Sequence, residues 1–399
     1  MNRLFLVLGI LLLFALEILR VYFIMPFPGS QRHNTIGLAW FISRNIVWMR
    51  LALLLLLFYP VYTLLSEGRS GQKIFLTLIL VLYGVVFYFF NARFEADKMF
   101  YQPGVKIFAE AADNKIDTNK LVIGVVLNGE ARAFPIDLIG YHHQVVDTIG
   151  QTPVMITYCT VCRTGRAFSP FINGKREHFR LVGMDHFNAM FEDNTTKSWW
   201  QQATGEAVAG PLKGQSLTEL PSIQCRLGVW LRRYPHSLIM QPDPAYAAKY
   251  AKLADYDQGT LQSSLEKRDS GDWHFKSWVI GIRLGHQART YNWNDLTKHF
   301  MLQDRLDTLP ILLTLEKDTV SFHAWNRNLN GVELQFERPT DPGSRGFLMD
   351  TNTHSTWNED GLCIDGSLKG SQLQPVQSYQ EFLHSWEHFH PGSQRYHHL

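Results

Sequence analysis

Cysteine is scarce in this 399-residue chain, which holds 4 of them, at positions 159, 162, 225 and 363. That is too few to staple a domain of this size with disulfides. Charge of one sign is missing as well: 38 Lys and Arg against 36 Asp and Glu leave a formal net charge of +2. This balance is too near neutral to suggest an electrostatic nucleic-acid surface, and no nucleic-acid partner is expected. Neither a G-x-x-x-x-G-K-[ST] phosphate loop nor an H-E-x-x-H zinc helix occurs, so no nucleotide cofactor is expected. Long apolar runs are absent after Arg93, and what lies before that residue is therefore a separate matter.

That first part reads as membrane. Residues 4–25 are almost unbroken apolar sequence, long enough to cross a bilayer at about 1.5 Å per residue, and no small-x-small cleavage site follows them. Further spans are expected near 46–65 and 74–90, giving a transmembrane region over 1–92. Three spans put the chain ends on opposite sides. Arg3, Arg69 and Lys73 place the N-terminus in the cytoplasm and the soluble region outside it, whereas Arg32, Arg44 and Arg50 pull the other way. Glu17 and Arg20, three residues apart, share a helix face and could pair.

From Asn91 onward the period shortens. Residues 121–135 alternate around Asn128-Gly129, the signature of a hairpin, and residues 278–292 repeat that pattern. One fixed offset pairs Ile123 with Ile280, Arg132 with Arg289, His142 with His299, Asp147 with Asp304, Asp193 with Asp350 and Trp200 with Trp357. After one deletion Lys213 matches Lys369 and Trp230 matches Trp386. The fold expected is a membrane anchor of about three helices plus a mainly β (α+β) soluble region of two pseudo-equivalent repeats, 93–254 and 278–399. A polar linker over 255–277 joins them. Helices are expected at Ile223–Tyr234 and Ser378–His388. Residues shared by both halves, such as Arg132, Asp147, Asp193 and Trp200, read as ion pairs and core aromatics that the fold needs. Glu206 could act as a general base, and His397 and His398 read as a solvated tail.

Chemistry present in only one half is more informative. Cys159 and Cys162 form a C-x-x-C turn after an apolar strand, and Glu316 and Thr319 stand at the matched positions. Two soft donors on one turn suit a transition metal or a thiol redox pair. Metal needs further ligands, and the first half offers His142, His143, Met184, His186 and Met190. Thiolate with thioether selects copper, whereas cysteine with histidine suits zinc; copper is favoured. If the pair is redox-active instead, Cys159 and Cys162 are the catalytic residues of a thiol–disulfide oxidoreductase. Against this, residues 163–171 read as turn and strand, not as the helix start that lowers a thiol pKa. A third possibility is a non-catalytic binding or scaffold domain in which the cysteines brace a turn.

The motifs at 129–135, 145–150, 157–164 and 203–214 together resemble the bacterial family catalogued as domain of unknown function 3179, over roughly residues 100–390. Where that family has Trp-His-Glu this chain has Tyr141-His142-His143, and where it has Cys-Pro-x-Cys-Gly this chain has Cys159-Thr160-Val161-Cys162-Arg163, which points to a subgroup. The resemblance implies a bacterial protein and brings no reaction with it; the three apolar spans, which lie outside it, point to the cytoplasmic membrane. The expectation is metal handling or electron transfer, with the lipid bilayer and a metal or electron donor protein as partners.

Overall fold

The computed structural model describes residues 3–339 and 347–397; His398 lies outside them. Two compact units emerge, one made of 1–101 with 171–217 and the other of 102–170 with 218–399.

In the first unit three apolar helices run over Arg3–Tyr22 (α1), Ile36–Glu67 (α2) and Ser70–Ala92 (α3), each long and apolar enough to cross a membrane. The second helix begins ten residues before the span expected at 46–65. Its extra turns serve packing: Ile36 and Ala39 join a core with Val182, Met190, Trp199 and Ala209. Those partners lie on a four-stranded antiparallel sheet of Phe179–Asp185, Asn188–Asp193, Trp199–Gln201 and Ala207–Ala209. The sheet is also tied to the helix ends by backbone and side chain. Met184 N–H donates to the Ile24 carbonyl at 2.7 Å, and Trp40 Nε1 donates to the Lys197 carbonyl at 2.8 Å. Phe187 N–H donates to Gln31 Oε1 at 3.1 Å.

The pairing expected of Glu17 with Arg20 does not form. Arg50 on α2 grips Glu17 through Nε and Nη2, both at 2.6 Å, while Asn91 Nδ2 and Tyr83 OH on α3 donate to the same carboxylate at 2.9 and 3.1 Å. Arg20 turns to Glu95 at 2.7 Å. The reason is desolvation: a carboxylate with 0% exposure needs all its acceptor positions filled, and a fork from a neighbouring helix fills two at once.

The second unit is mainly β. A hairpin, Leu121–Leu127 with Glu130–Pro135, leads into a helix over Ile136–His142 and then a three-stranded sheet of Gln144–Ile149, Thr152–Cys159 and Thr164–Phe168. Further along, the hairpin Trp278–Leu284 with Gln287–Asn292 leads into a helix over Trp293–His299 and then Met301–Leu306, Leu309–Leu315 and Phe322–Asn326. The helices expected at Ile223–Tyr234 and Ser378–His388 are each half strand. Ile223–Arg226 and Ser378–Phe382 add to the free edges of the Leu121–Leu127 and Trp278–Leu284 strands, and only Leu227–Arg233 and Leu383–Phe389 are helical. Extending there pairs backbone groups along strand edges that would otherwise be left open. Each short helix drops a tryptophan onto a strand glycine. A Cβ on Gly124 would lie 2.2 Å from the Trp230 ring, and one on Gly281 would lie 2.1 Å from Trp386.

Candidate functional site

The strand Thr152–Cys159 is buried along its last six residues, because the apolar run there faces core on both sides. It ends in register with the next strand at Cys159 opposite Thr164, so the C-x-x-C turn caps a hairpin. Arg163 closes the turn at φ +56°, in the left-handed region that favours glycine, and this is where the resembling family has Gly. Arg163 holds the conformation through its side chain. Nε donates to Gln380 Oε1 at 2.9 Å, and the guanidinium lies 3.9 Å from the centre of the Trp278 ring.

Both sulfurs are wholly buried and are free thiols. Burial, then a hydrogen bond and charge interaction with Cys159, push the Cys162 thiol well above its ordinary pKa, against the pull of Lys276 and Ser385. The groups that reach the turn come from far along the chain. His384 Nε2 is 3.9 Å from Cys162 Sγ. Its Nδ1 lies 3.1 Å from the Phe275 carbonyl, which can only accept, so Nδ1 carries the proton and Nε2 presents its lone pair to the sulfur. The ring is clamped face to face on Phe275 at 4.3 Å. Burial and the charge of Lys276 hold the His384 pKa down to about 3, so the imidazole is neutral.

Lys276 Nζ donates to the Val161 carbonyl at 2.5 Å and the Leu265 carbonyl at 2.7 Å. Burial lowers its pKa, with Cys162 and Cys159 opposing. Thr160 Oγ1 donates to Glu266 Oε1 at 3.2 Å, and Tyr256 OH donates to the Thr160 carbonyl at 2.9 Å. The segment 255–277, polar enough to read as a linker, thus wraps the cysteine turn. Phe382 N–H closes the other side by donating to the Cys162 carbonyl at 3.0 Å.

The other residues singled out by sequence are placed as follows. His142 lies in the same unit as the cysteines, its Nε2 2.6 Å from Tyr250 OH and its ring edge-on to Tyr246. His143 caps the helix at φ +61°, and burial lowers its pKa to about 4. Met184, His186 and Met190 belong to the other unit. Met190 is a core side chain there, and His186 Nδ1 sits 2.6 Å from Asp185 Oδ1. Glu206 is exposed. Arg132 pairs with Asp147 and Arg289 with Asp304 at 3.0 Å. Trp200 Nε1 donates to Asp193 at 3.0 Å, and Trp357 Nε1 donates to Asp350 at 2.9 Å.

His384 and Lys276 are not among the residues that the sequence singles out. At the spacings used to compare the two stretches, Gly228 stands opposite His384 and Asn119 opposite Lys276.

Among the described residues, Glu316, His323 and Asp360 bring three ligand atoms within 4.8 Å of one another, a group that could hold a metal ion. Its negative charge is already answered. Arg232 Nη2 sits between both oxygens of Glu316 at 2.8 and 2.9 Å, and His323 Nε2 sits 2.8 Å from the same carboxylate. Burial would raise the Glu316 pKa, but hydrogen bonds from His323 and Glu359 hold it to about 2. Burial and that shared hydrogen bond push Glu359 up to about 8.

Fold and site together define a protein with three membrane-length apolar helices and a mainly β region that buries a two-thiol turn against a neutral histidine. The chain belongs to the family described as Protein of unknown function (DUF3179), whose model matches residues 102–393 and so begins after the helices. No curated protein and no solved structure matches it.

Proposed function

We propose that this chain is a membrane-anchored metal-binding protein acting in metal handling or electron transfer, with Cys159, Cys162 and His384 as the ligands. The observation that carries the reading is the locked tautomer of His384. A metal-binding histidine characteristically donates its second ring nitrogen to a carbonyl or carboxylate, and His384 does so to Phe275 while aiming Nε2 at a buried thiol. An ion bound to both atoms needs a separation of roughly 3.5 Å, close to the 3.9 Å present. The carboxylate group at Glu316 is a weaker candidate, since Arg232 already stands where a cation would.

Copper(I) is favoured over zinc, now on charge instead of thioether ligands. Two thiolates with copper(I) leave one negative charge, which Lys276 beside them balances. The thiol–disulfide reading has less support, because exchange requires an accessible thiolate and both sulfurs are wholly buried.

The two hairpin–helix–sheet segments are inferred to be pseudo-equivalent repeats, 93–254 and 278–399. Support comes from the glycine–tryptophan contacts at 124/230 and 281/386 and from the matched Asp193–Trp200 and Asp350–Trp357 bonds. For the membrane, three full spans put the loop after α1 and the chain after α3 on one side. The bonds from residues 184, 187 and 197 to residues 24, 31 and 40 agree with that. With Arg3, Arg69 and Lys73 on the opposite face, that side is extracytoplasmic in a bacterial inner membrane.

The test is elemental analysis of the full chain, purified in detergent under reducing conditions without chelator. About one copper or zinc per chain is expected, falling below about a tenth in Cys159→Ser, Cys162→Ser. His384→Ala should weaken metal affinity by at least about 10-fold, since losing even a group that only orients a ligand costs about 10–100-fold. Undiminished metal in the double variant would refute the assignment.

A further inference from the structure

Within the second unit a cavity of about 310 Å³ opens between the hairpin containing Gly124 and the strand Phe322–Asn326, a size at the lower end of small-molecule sites. Its walls are aromatic and aliphatic, chiefly Trp230, Trp325, Phe322, Ile223 and Val376, and no Asp or Glu lines it. Pro221 and Pro375 at the rim are exposed, so it has a mouth. Ser222, Gln224, His323, Gln377 and Ser378 add polar groups to this lining, and one cationic donor stands among them. The guanidinium of Arg233 lies 5.5 Å from the Trp325 ring and 5.6 Å from Tyr234, and among the described residues it has no carboxylate partner.

A largely apolar slot with one unpaired cation and no acidic group is complementary to an anion with an apolar body. We infer that this cavity is a binding site for a flat aromatic monoanion, its ring against the half-buried Ile223, Tyr234 and Val376 and its acid group taken by Arg233. The cation–π contacts hold the guanidinium ready, and a charge-assisted hydrogen bond in a desolvated pocket discriminates strongly between an acid and its neutral isostere. The site is separate from the cysteine turn, and no residue named in the metal assignment lines it.

The test uses 1-naphthoate and its neutral isostere 1-naphthamide, each titrated calorimetrically into the full chain in lipid nanodiscs, with empty nanodiscs subtracted. One saturable site per chain is expected, with naphthoate binding at least about tenfold tighter than naphthamide. Arg233→Gln should bring the two within about threefold by weakening naphthoate alone. Val376→Trp, which fills the mouth, should abolish both. Lack of saturation by naphthoate up to about 1 mM, an unchanged preference in Arg233→Gln, or full binding by Val376→Trp would each overturn the inference. A variant that fails to fold would show itself by losing the cooperative thermal unfolding of the unaltered chain, and the comparison of the two probes on the unaltered chain then decides.

Discussion

Raising the pH from 6 to 8 is expected to tighten metal binding at Cys159 and Cys162 at least about a hundredfold. The Cys162 thiol sits well above its ordinary pKa and is protonated throughout this range, whereas only a thiolate coordinates. Binding therefore releases at least one proton, and affinity rises at least about tenfold for each pH unit. His384, held at about 3, contributes nothing to the slope, because it is neutral at both ends. A competition titration against a chelator of known pH dependence measures this directly. A flat profile would mean that the sulfurs do not ligate, whereas a profile bending near the ordinary histidine pKa would place the ligand elsewhere.

Glu381→Gln is expected to destabilise the second unit by about 3–5 kcal/mol, the usual cost of leaving one member of a buried ion pair without the other. Glu381 and Arg166 meet at 2.5 Å with side chains 0% and 1% exposed, and Arg166 also stacks 3.6 Å above the Tyr379 ring. Ser385 Oγ donates to the second oxygen of the carboxylate at 3.1 Å, so the glutamine amide would also face a donor with a donor. The sign with pH follows from the direction of the shift. Burial raises the Glu381 pKa, with Arg166 opposing, so this group favours folding more at low pH than at high, and its substitution should cost most in acid and less as the pH rises. Thermal unfolding of the full chain should show a fall of about 10 °C for a loss of this size. Arg166→Met with Glu381→Leu should recover part of it, because an apolar pair leaves no lone charge. A loss below about 1 kcal/mol would show that water reaches the pair.

The three apolar helices and the β-rich remainder were legible because each rests on a strong local signal, either a long apolar run or strict alternation around Asn128-Gly129. The true partner of Glu17 was not, since a helix face identifies candidates on its own helix and says nothing about Arg50 on the next. The strand halves of 223–234 and 378–388 were missed for a related reason. Whether four residues extend or coil there depends on a free edge supplied by Leu121–Leu127 or Trp278–Leu284, which lies about a hundred residues away. The cysteine turn announced itself by spacing, but His384 is 222 positions from Cys162. Its polarity pattern is that of any surface helix, and only comparison with Gly228 marks it. Met184, His186 and Met190 looked like ligands because soft donors close in sequence are conspicuous, yet Met190 serves the helix-facing core.

The bonds that join the Phe179–Ala209 sheet to Ile24, Gln31 and Trp40 change what the membrane part is. A tether can be cut without loss, but here its upper ends are the other half of a packed core, where Ile36 and Ala39 cover Val182, Met190 and Trp199. Cleaved near Arg93, the remaining chain would carry a raw apolar wound and a strand edge whose donor at Met184 had lost the Ile24 carbonyl. Such a fragment should clump or recruit detergent, so the molecule is best handled whole.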